Sequence, residues 1–174
     1  KAKINLDDIT SFHRLKKVGL PETISFRLNP GFGEGAFSQI VTGGQNSKFG
    51  VPIYDIVKAY RIALEAGIKQ FGIQCMTGSG VLDPEYHPKL IKEILKTVDK
   101  LRDELDIHMD YISLGGGYGI PYKEEERPLD FESVFTRIGK IYNTHFERLD
   151  KVKPALWIEP GKSVVGDTGI ILSR

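Results

Sequence analysis

The chain reads as an α/β protein on a parallel sheet, the central part of a (β/α)8 TIM barrel. Three observations predict this. Helical and strand periodicities alternate along all 174 residues, with no linker or low-complexity tract between them. Strands separated by single helices run parallel, because each helix returns the chain to the starting edge of the sheet. Links from helix to strand are short, at Gly67 to Lys69 and Asp106 to His108, whereas links from strand to helix are long and rich in Gly and Pro. That asymmetry belongs to a barrel with its site at the C-terminal mouth. A doubly wound sheet is the competing architecture, and either would have its sheet covered on its faces.

A first amphipathic helix is predicted over Asp7 to Val18 and a strand over Thr23 to Leu28, stopped by Asn29-Pro30-Gly31. Helix spacing resumes from Pro52, with Ile53, Ile56, Val57, Tyr60, Ala63 and Leu64 on one stripe and Gly67 as C-cap. Strand Gln70 to Cys75 follows. A third helix, about His87 to Leu105, sets Leu90, Ile91, Ile94, Leu95, Val98 and Leu101 on its buried face and leads into a strand from Asp110 to Leu114. Asp130 caps a fourth helix whose Phe131, Val134, Phe135, Ile138 and Tyr142 keep the same spacing. Strand Ala155 to Ile158 comes next, and Thr168 to Leu172 is one more candidate element. Four firm strands and a candidate fifth fall short of the eight that close a barrel. An open half-barrel would leave its edges unpaired. The expectation is a piece of a longer polypeptide, with strands before Lys1 and more chain after Arg174.

Lys and Arg number 24 against 23 Asp and Glu, a net charge of +1, with no basic block or acidic tail. Nothing in that balance points to nucleic acid or a membrane surface as partner. The single cysteine, Cys75, excludes an internal disulfide and fits a reducing compartment. No apolar run approaches the ~20 residues of a membrane span, and no signal peptide opens the chain. A soluble cytoplasmic protein is expected.

The unusual residues gather in the loops after the strands. One strand ends in Gly115-Gly116-Gly117, where side chains are absent and amide N–H groups are not, so an anion, most often phosphate, is the natural guest; a plain tight turn is the alternative. Before it, Met76-Thr77-Gly78-Ser79-Gly80 sets small hydroxyls beside glycines, and Met76 offers an adaptable wall for a flat ligand, with core packing as the competing fate of Met76 and Cys75. The connection from Asn29 to Val51 is longer than ordinary loops and lacks the P-loop pattern. Arg27, just before it in an apolar strand, requires an anionic or hydrogen-bonded partner, a structural salt bridge included. Glu159 follows three apolar residues, and a carboxylate left unpaired there would be costly. Its partner is either Lys162, three residues on, or a ligand cation, with the Gly161 N–H and Lys162 then serving a nearby phosphate. His13, His87, His108 and His145 fall on helices or ahead of a strand, with no catalytic-triad or metal-ligand spacing, so no metal centre is expected.

Taken in order, Phe26-Arg27-Leu28-Asn29-Pro30-Gly31, Thr42-Gly43-Gly44 with Ser47-Lys48-Phe49-Gly50, Gly78-Ser79, Leu114 to Tyr122 and Glu159-Pro160-Gly161-Lys162 resemble the fold-type III pyridoxal-phosphate-dependent decarboxylases, the diaminopimelate decarboxylases most closely. The resemblance runs over almost the whole chain. It implies an alanine-racemase-like barrel and pyridoxal 5'-phosphate as cofactor. Ser79, the Gly116 and Gly117 backbone, and Pro160, Gly161 and Lys162 would hold the phosphate end. Glu159 would pair with the pyridinium nitrogen and is the implied catalytic residue. Arg27 and Met76 match positions beside the cofactor, Lys162 one that also meets substrate, and Ser47 to Gly50 a segment near the contact of a homodimer with shared active sites. Two departures stand out: Gln74 and Met76 replace family histidines, and Lys162 replaces an arginine, a point charge in place of a fork.

The implied activity is decarboxylation of a small amino-acid substrate, meso-diaminopimelate to L-lysine in lysine biosynthesis. Ornithine, arginine or carboxynorspermidine as substrate, a non-catalytic homologue acting as a binding partner, and another phosphate-ligand barrel enzyme such as an aldolase are the alternatives. The Schiff-base lysine and the C-terminal β domain of that family match nothing in these residues, so the fragment alone is expected to be inactive.

Overall fold

The computed structural model describes residues 2–33, 42–44, 47–149, 152–169 and 172. Among them six strands form one parallel sheet: β1 (Ile4–Leu6), β2 (Thr23–Asn29), β3 (Val51–Pro52), β4 (Gln70–Cys75), β5 (Met109–Ser113) and β6 (Ala155–Trp157). Their order is β1-β2-β4-β5-β6, with β3 paired to the end of β2. The helices are α1 (Ile9–Val18), α2 (Ile56–Glu65), α3 (Tyr86–Leu105), α4 (Phe131–Glu147) and the short α5 (Gly161–Val165).

Helix α1 begins later than the expected Asp7 because Asp8 caps it, accepting from the Ser11 N–H at 2.7 Å. Helix α2 does not start at Pro52. Val51 and Pro52 pair with Leu28 and Asn29 as β3, on an edge where proline's missing N–H costs no ladder bond. Ile53, placed on the buried stripe by spacing, therefore lies outside the helix and is 37% exposed; Leu64, in the last turn of α2, is 38% exposed as well. Helix α3 buries all six of its expected apolar residues and ends on Asp106, which is left-handed at φ 54° and returns its N–H to the Arg102 carbonyl. Asp130 caps α4 as expected, accepting from the Ser133 N–H at 3.0 Å. Asp130→Ala should cost about 1 kcal/mol in urea-denaturation stability; no change would mean the cap carries nothing. The strands β1 and β3 and helix α5 go beyond the elements expected from spacing, and Ile158 lies past the end of β6. The candidate element from Thr168 to Leu172 falls in part outside the described residues.

Alternate residues of a strand face opposite sides, and the register lines them up across the sheet. One side carries Ile24, Phe26 and Leu28 from β2, Phe71, Ile73 and Cys75 from β4, and Ile112 from β5, all in one core cluster with the helices. Tyr60 of α2 fits between Phe26 and Phe71, with ring centres at 5.2 and 5.8 Å, and its hydroxyl donates to the Gly72 carbonyl at 2.6 Å. The other side carries Asn5, Ser25, Arg27, Gln74, Tyr111 and Ser113. There the Tyr111 ring lies across the bare Gly72 and stacks on Trp157 at 4.2 Å. The described helices thus cover one face only. The second face is hydrogen-bonded, which is what the inner wall of a barrel with a polar interior requires.

Candidate functional site

The site loops leave the C-terminal ends of β2, β4, β5 and β6, where the register sets Arg27 beside Gln74 and Gln74 beside Ser113. Backbone hydrogen bonds lace these loops together. Leu114 donates to Trp157 at 3.0 Å and Glu159 to Gly115 at 2.8 Å; Val81 donates to Gly117 at 2.8 Å and Gly119 to Val81 at 2.9 Å. Two glycines make the closeness possible. A Cβ on Gly116 would stand 2.5 Å from the Glu159 carbonyl oxygen, and one on Gly117, at φ 97°, would stand 2.7 Å from the Gly78 carbonyl.

Glu159 lies against this glycine turn. Its Oε1 accepts from the Ser113 hydroxyl at 2.7 Å, and the Gln74 side-chain amide lies 3.3 Å from Oε2 and 3.4 Å from Oε1. Lys162, the nearby cation offered by sequence, is not its partner: the ammonium sits 5.5 Å from the centre of the Tyr122 ring. The first turn of α5 carries that side chain away from the carboxylate. Among the described residues Glu159 has hydrogen bonds only from neutral donors and no ion pair; because the residue is exposed, as are Ala155, Trp157 and Ile158 before it, the carboxylate is open to solvent and the burial cost expected from sequence does not arise.

Met76 is half-buried beside the same turn, and the Gly116 N–H lies 3.3 Å from its sulfur. The Met76 carbonyl accepts from Arg27 Nη2 at 2.7 Å and from the Thr42 hydroxyl at 3.0 Å. Arg27 further lies 3.7 Å from Asp7 and 4.9 Å from the Phe49 ring centre, so its charge is met within the chain, while its buried Nε has no hydrogen-bond partner among the described residues. The Ser79 hydroxyl makes no hydrogen bond to the described residues, while the Gly161 N–H is engaged by the Glu159 carbonyl at 3.0 Å. Pro160, between them, is the N-cap of α5. The fold therefore brings Glu159, Met76, Gly116 and Gly117 together with the Gly78-Ser79 turn; Arg27 reaches the group through the Met76 backbone, and Lys162 stands apart.

Two neighbouring groups are held neutral by burial. Cys75 donates to the Leu28 carbonyl at 3.2 Å, and burial pushes its thiol up to about 12 despite Arg27. His87, buried in α3, stacks on Tyr118 at 4.0 Å with neither ring nitrogen in hydrogen-bond geometry. Burial pushes its imidazole down to about 4, and the Gly116 backbone and Asp83 oppose this only in part.

Sequence reasoning missed Ser113 and Asn5, and met Gln74 only as a departure. The available signal was period-two alternation, which sets Ser25 with Arg27 and Tyr111 with Ser113 on one side of otherwise apolar strands.

Residues 1–166 match the family model described as pyridoxal-dependent decarboxylase, pyridoxal binding domain. The chain belongs to this family. The pyridoxal-binding domain is 34% identical over 174 residues to the diaminopimelate decarboxylase of Methanothermobacter thermautotrophicus, covering 99% of this chain and 40% of that protein. Its fold is similar to a crystal structure of diaminopimelate decarboxylase, with a TM-score of 0.77 at 27% identity, covering 92% of this chain and 37% of that one. It is also similar to the diaminopimelate decarboxylase of M. jannaschii in co-complex with L-lysine, with a TM-score of 0.72 at 29% identity, covering 93% and 38%. The chain thus spans about two fifths of the length of these relatives, and its sheet is an incomplete part of their barrel domain. The cofactor of the family is a flat ring with a basic nitrogen at one end and a phosphate arm at the other. A carboxylate lacking a cation, a backbone stripped of side chains and a thioether wall are chemically suited to those parts.

Proposed function

We propose that the pyridoxal-binding domain is part of a longer polypeptide, a cytoplasmic, homodimeric amino-acid decarboxylase that converts meso-diaminopimelate to L-lysine. The observation that carries this reading is the Glu159 carboxylate, held by Ser113 and Gln74 against the glycine turn with no cation beside it among the described residues. When bound, pyridoxal phosphate supplies the electron sink that decarboxylation needs. Glu159 pairs with the ring nitrogen and keeps its proton in place. Met76 covers one face of the ring and excludes water from it, held there by Arg27 and Thr42 through its carbonyl. Ser79 and the Gly116 and Gly117 backbone would hold the phosphate; Gly161 and Lys162, after Pro160, would join that end once the Gly161 N–H leaves the Glu159 carbonyl and the Lys162 ammonium leaves the Tyr122 ring. Lys162 also supplies a positive charge for an acidic group of the substrate. The lysine that binds the cofactor covalently and the C-terminal β domain belong to the rest of the polypeptide, and Ser47 to Gly50 lies toward the subunit contact. The substrate assignment is supported by relatives carrying that name and by the lysine held in the M. jannaschii co-complex.

The test is Glu159→Ala in the full-length protein. Turnover of diaminopimelate should fall by about two orders of magnitude while cofactor content falls about threefold or less. Equal loss of both would make Glu159 structural, and decarboxylation of ornithine, arginine or carboxynorspermidine by the unaltered protein, without diaminopimelate, would overturn the substrate.

A further inference from the structure

The Glu159 carboxylate sits at the end of a line of side chains that crosses the polar face of the sheet. Ser25 donates to Asn5 Oδ1 at 2.7 Å, and the Asn5 amide lies 3.4 Å from Gln74 Oε1. With its oxygen toward Asn5, the Gln74 amide has only its NH2 end to offer Glu159, at 3.3 and 3.4 Å. Ser113 reaches the same carboxylate from β5 at 2.7 Å. A carboxylate bonded to two neutral donors is fixed in direction without losing its charge, whereas a lysine or arginine there would cancel it.

From this we infer that Ser113 and Gln74 are positioning residues for Glu159, and that Asn5 sets which way round the Gln74 amide lies. This rests on the reading that Glu159 faces the ring nitrogen of the cofactor. Tyr111 and Tyr118 also feel the Glu159 carboxylate: burial raises both phenols, helped at Tyr111 by Asp110 and then Glu159 against a hydrogen bond with Ser25, and at Tyr118 by Glu159, so both phenols stay neutral near pH 7. Arg27, on the neighbouring strand position to Gln74, is turned to the Met76 carbonyl, and Lys162 to Tyr122. The fixed direction therefore comes from Ser113 and Gln74.

The experiment follows the ring-nitrogen chemical shift of isotopically labelled pyridoxal phosphate bound to the full-length protein, as a function of pH. Ser113→Ala and Gln74→Leu should each lower the ring nitrogen's proton affinity by about tenfold, a shift of about one pH unit, with cofactor affinity changed by about threefold or less. Ser113→Thr, which keeps the hydroxyl, should titrate as the unaltered protein does. If Glu159→Gln shifts the titration and neither Ser113→Ala nor Gln74→Leu does, the positioning role is wrong and the reading of Glu159 stands. If Glu159→Gln itself leaves the titration unchanged, the reading of Glu159 fails and takes this inference with it. Should Gln74→Leu not fold, the Ser113→Ala and Ser113→Thr pair decides the matter alone.

Discussion

Gly116→Ala should empty the site of cofactor. The added methyl carbon would stand 2.5 Å from the Glu159 carbonyl oxygen, a distance at which real Cβ contacts are essentially never found. That oxygen is backbone and cannot swing aside, so the loop after β6 must move away from the loop after β5. The movement strains the Glu159 N–H to Gly115 carbonyl bond at 2.8 Å and carries the carboxylate with it. A loss of about 1–3 kcal/mol is the usual scale for overpacking of this kind, and cofactor retention, read from absorbance after dialysis of the full-length protein, should drop by more than about tenfold. Gly139→Ala is the matched control. Gly139 lies inside α4, and beyond the backbone of its own helix and its chain neighbours no atom comes within 4 Å of its added carbon. There the substitution should stabilise by roughly 0.5–1 kcal/mol through helix propensity and leave cofactor retention unchanged. Equal behaviour of the two variants would show that closeness of the loops is not needed for binding.

A second large effect is expected in acid. His87 is neutral in the fold, its imidazole pushed from 6.5 down to about 4, chiefly by burial. Below pH 6.5 the unfolded chain binds a proton that the folded one refuses, so stability present above that pH is lost progressively until the folded group titrates near pH 4. A difference of that size corresponds to about 3 kcal/mol in all. His87→Phe should remove this part of the acid slope while keeping a flat ring against Tyr118. Urea denaturation of both proteins from pH 7 down to pH 4 checks this. Parallel curves for the two would mean that His87 finds a proton acceptor in the fold.

Much of this molecule was legible from spacing. Helix α3 is long and strictly periodic, so Leu90 through Leu101 could be assigned to the core without coordinates, and Asp130 before Phe131 marked the start of α4. Glycines at Gly115 to Gly117 and the carboxylate after Leu156-Trp157-Ile158 marked the candidate site, and the structure brings them side by side, because bare backbone and a charge at a strand end are chemically conspicuous. What escaped was short or non-local. Strands β1 and β3, of three and two residues, have too few positions for a period to show. Pro52 looked like the first residue of a helix because proline suits that position, yet it suits a sheet edge equally well. The partners of Glu159 lie 46 and 85 residues away in sequence and are brought to it only by adjacent strands. The nearest cation by numbering, Lys162, was the natural candidate and is carried elsewhere by a helix of five residues.

The polar side of the sheet has a consequence for how the domain assembles. Asn5, Ser25, Gln74, Ser113 and Glu159 come from four different strands and the loop after a fifth; Asn5 links Ser25 to Gln74, and Gln74 and Ser113 both reach Glu159. Sliding any one strand by a single residue would swing its polar members into the aliphatic layer beneath the helices and its aliphatic members into the mouth. The hydrogen-bonded groups on that face are thus also the pins that index the strands against one another. Correct pairing of these strands therefore lines up the polar groups at one edge of the sheet as it forms, and mispairing disperses them.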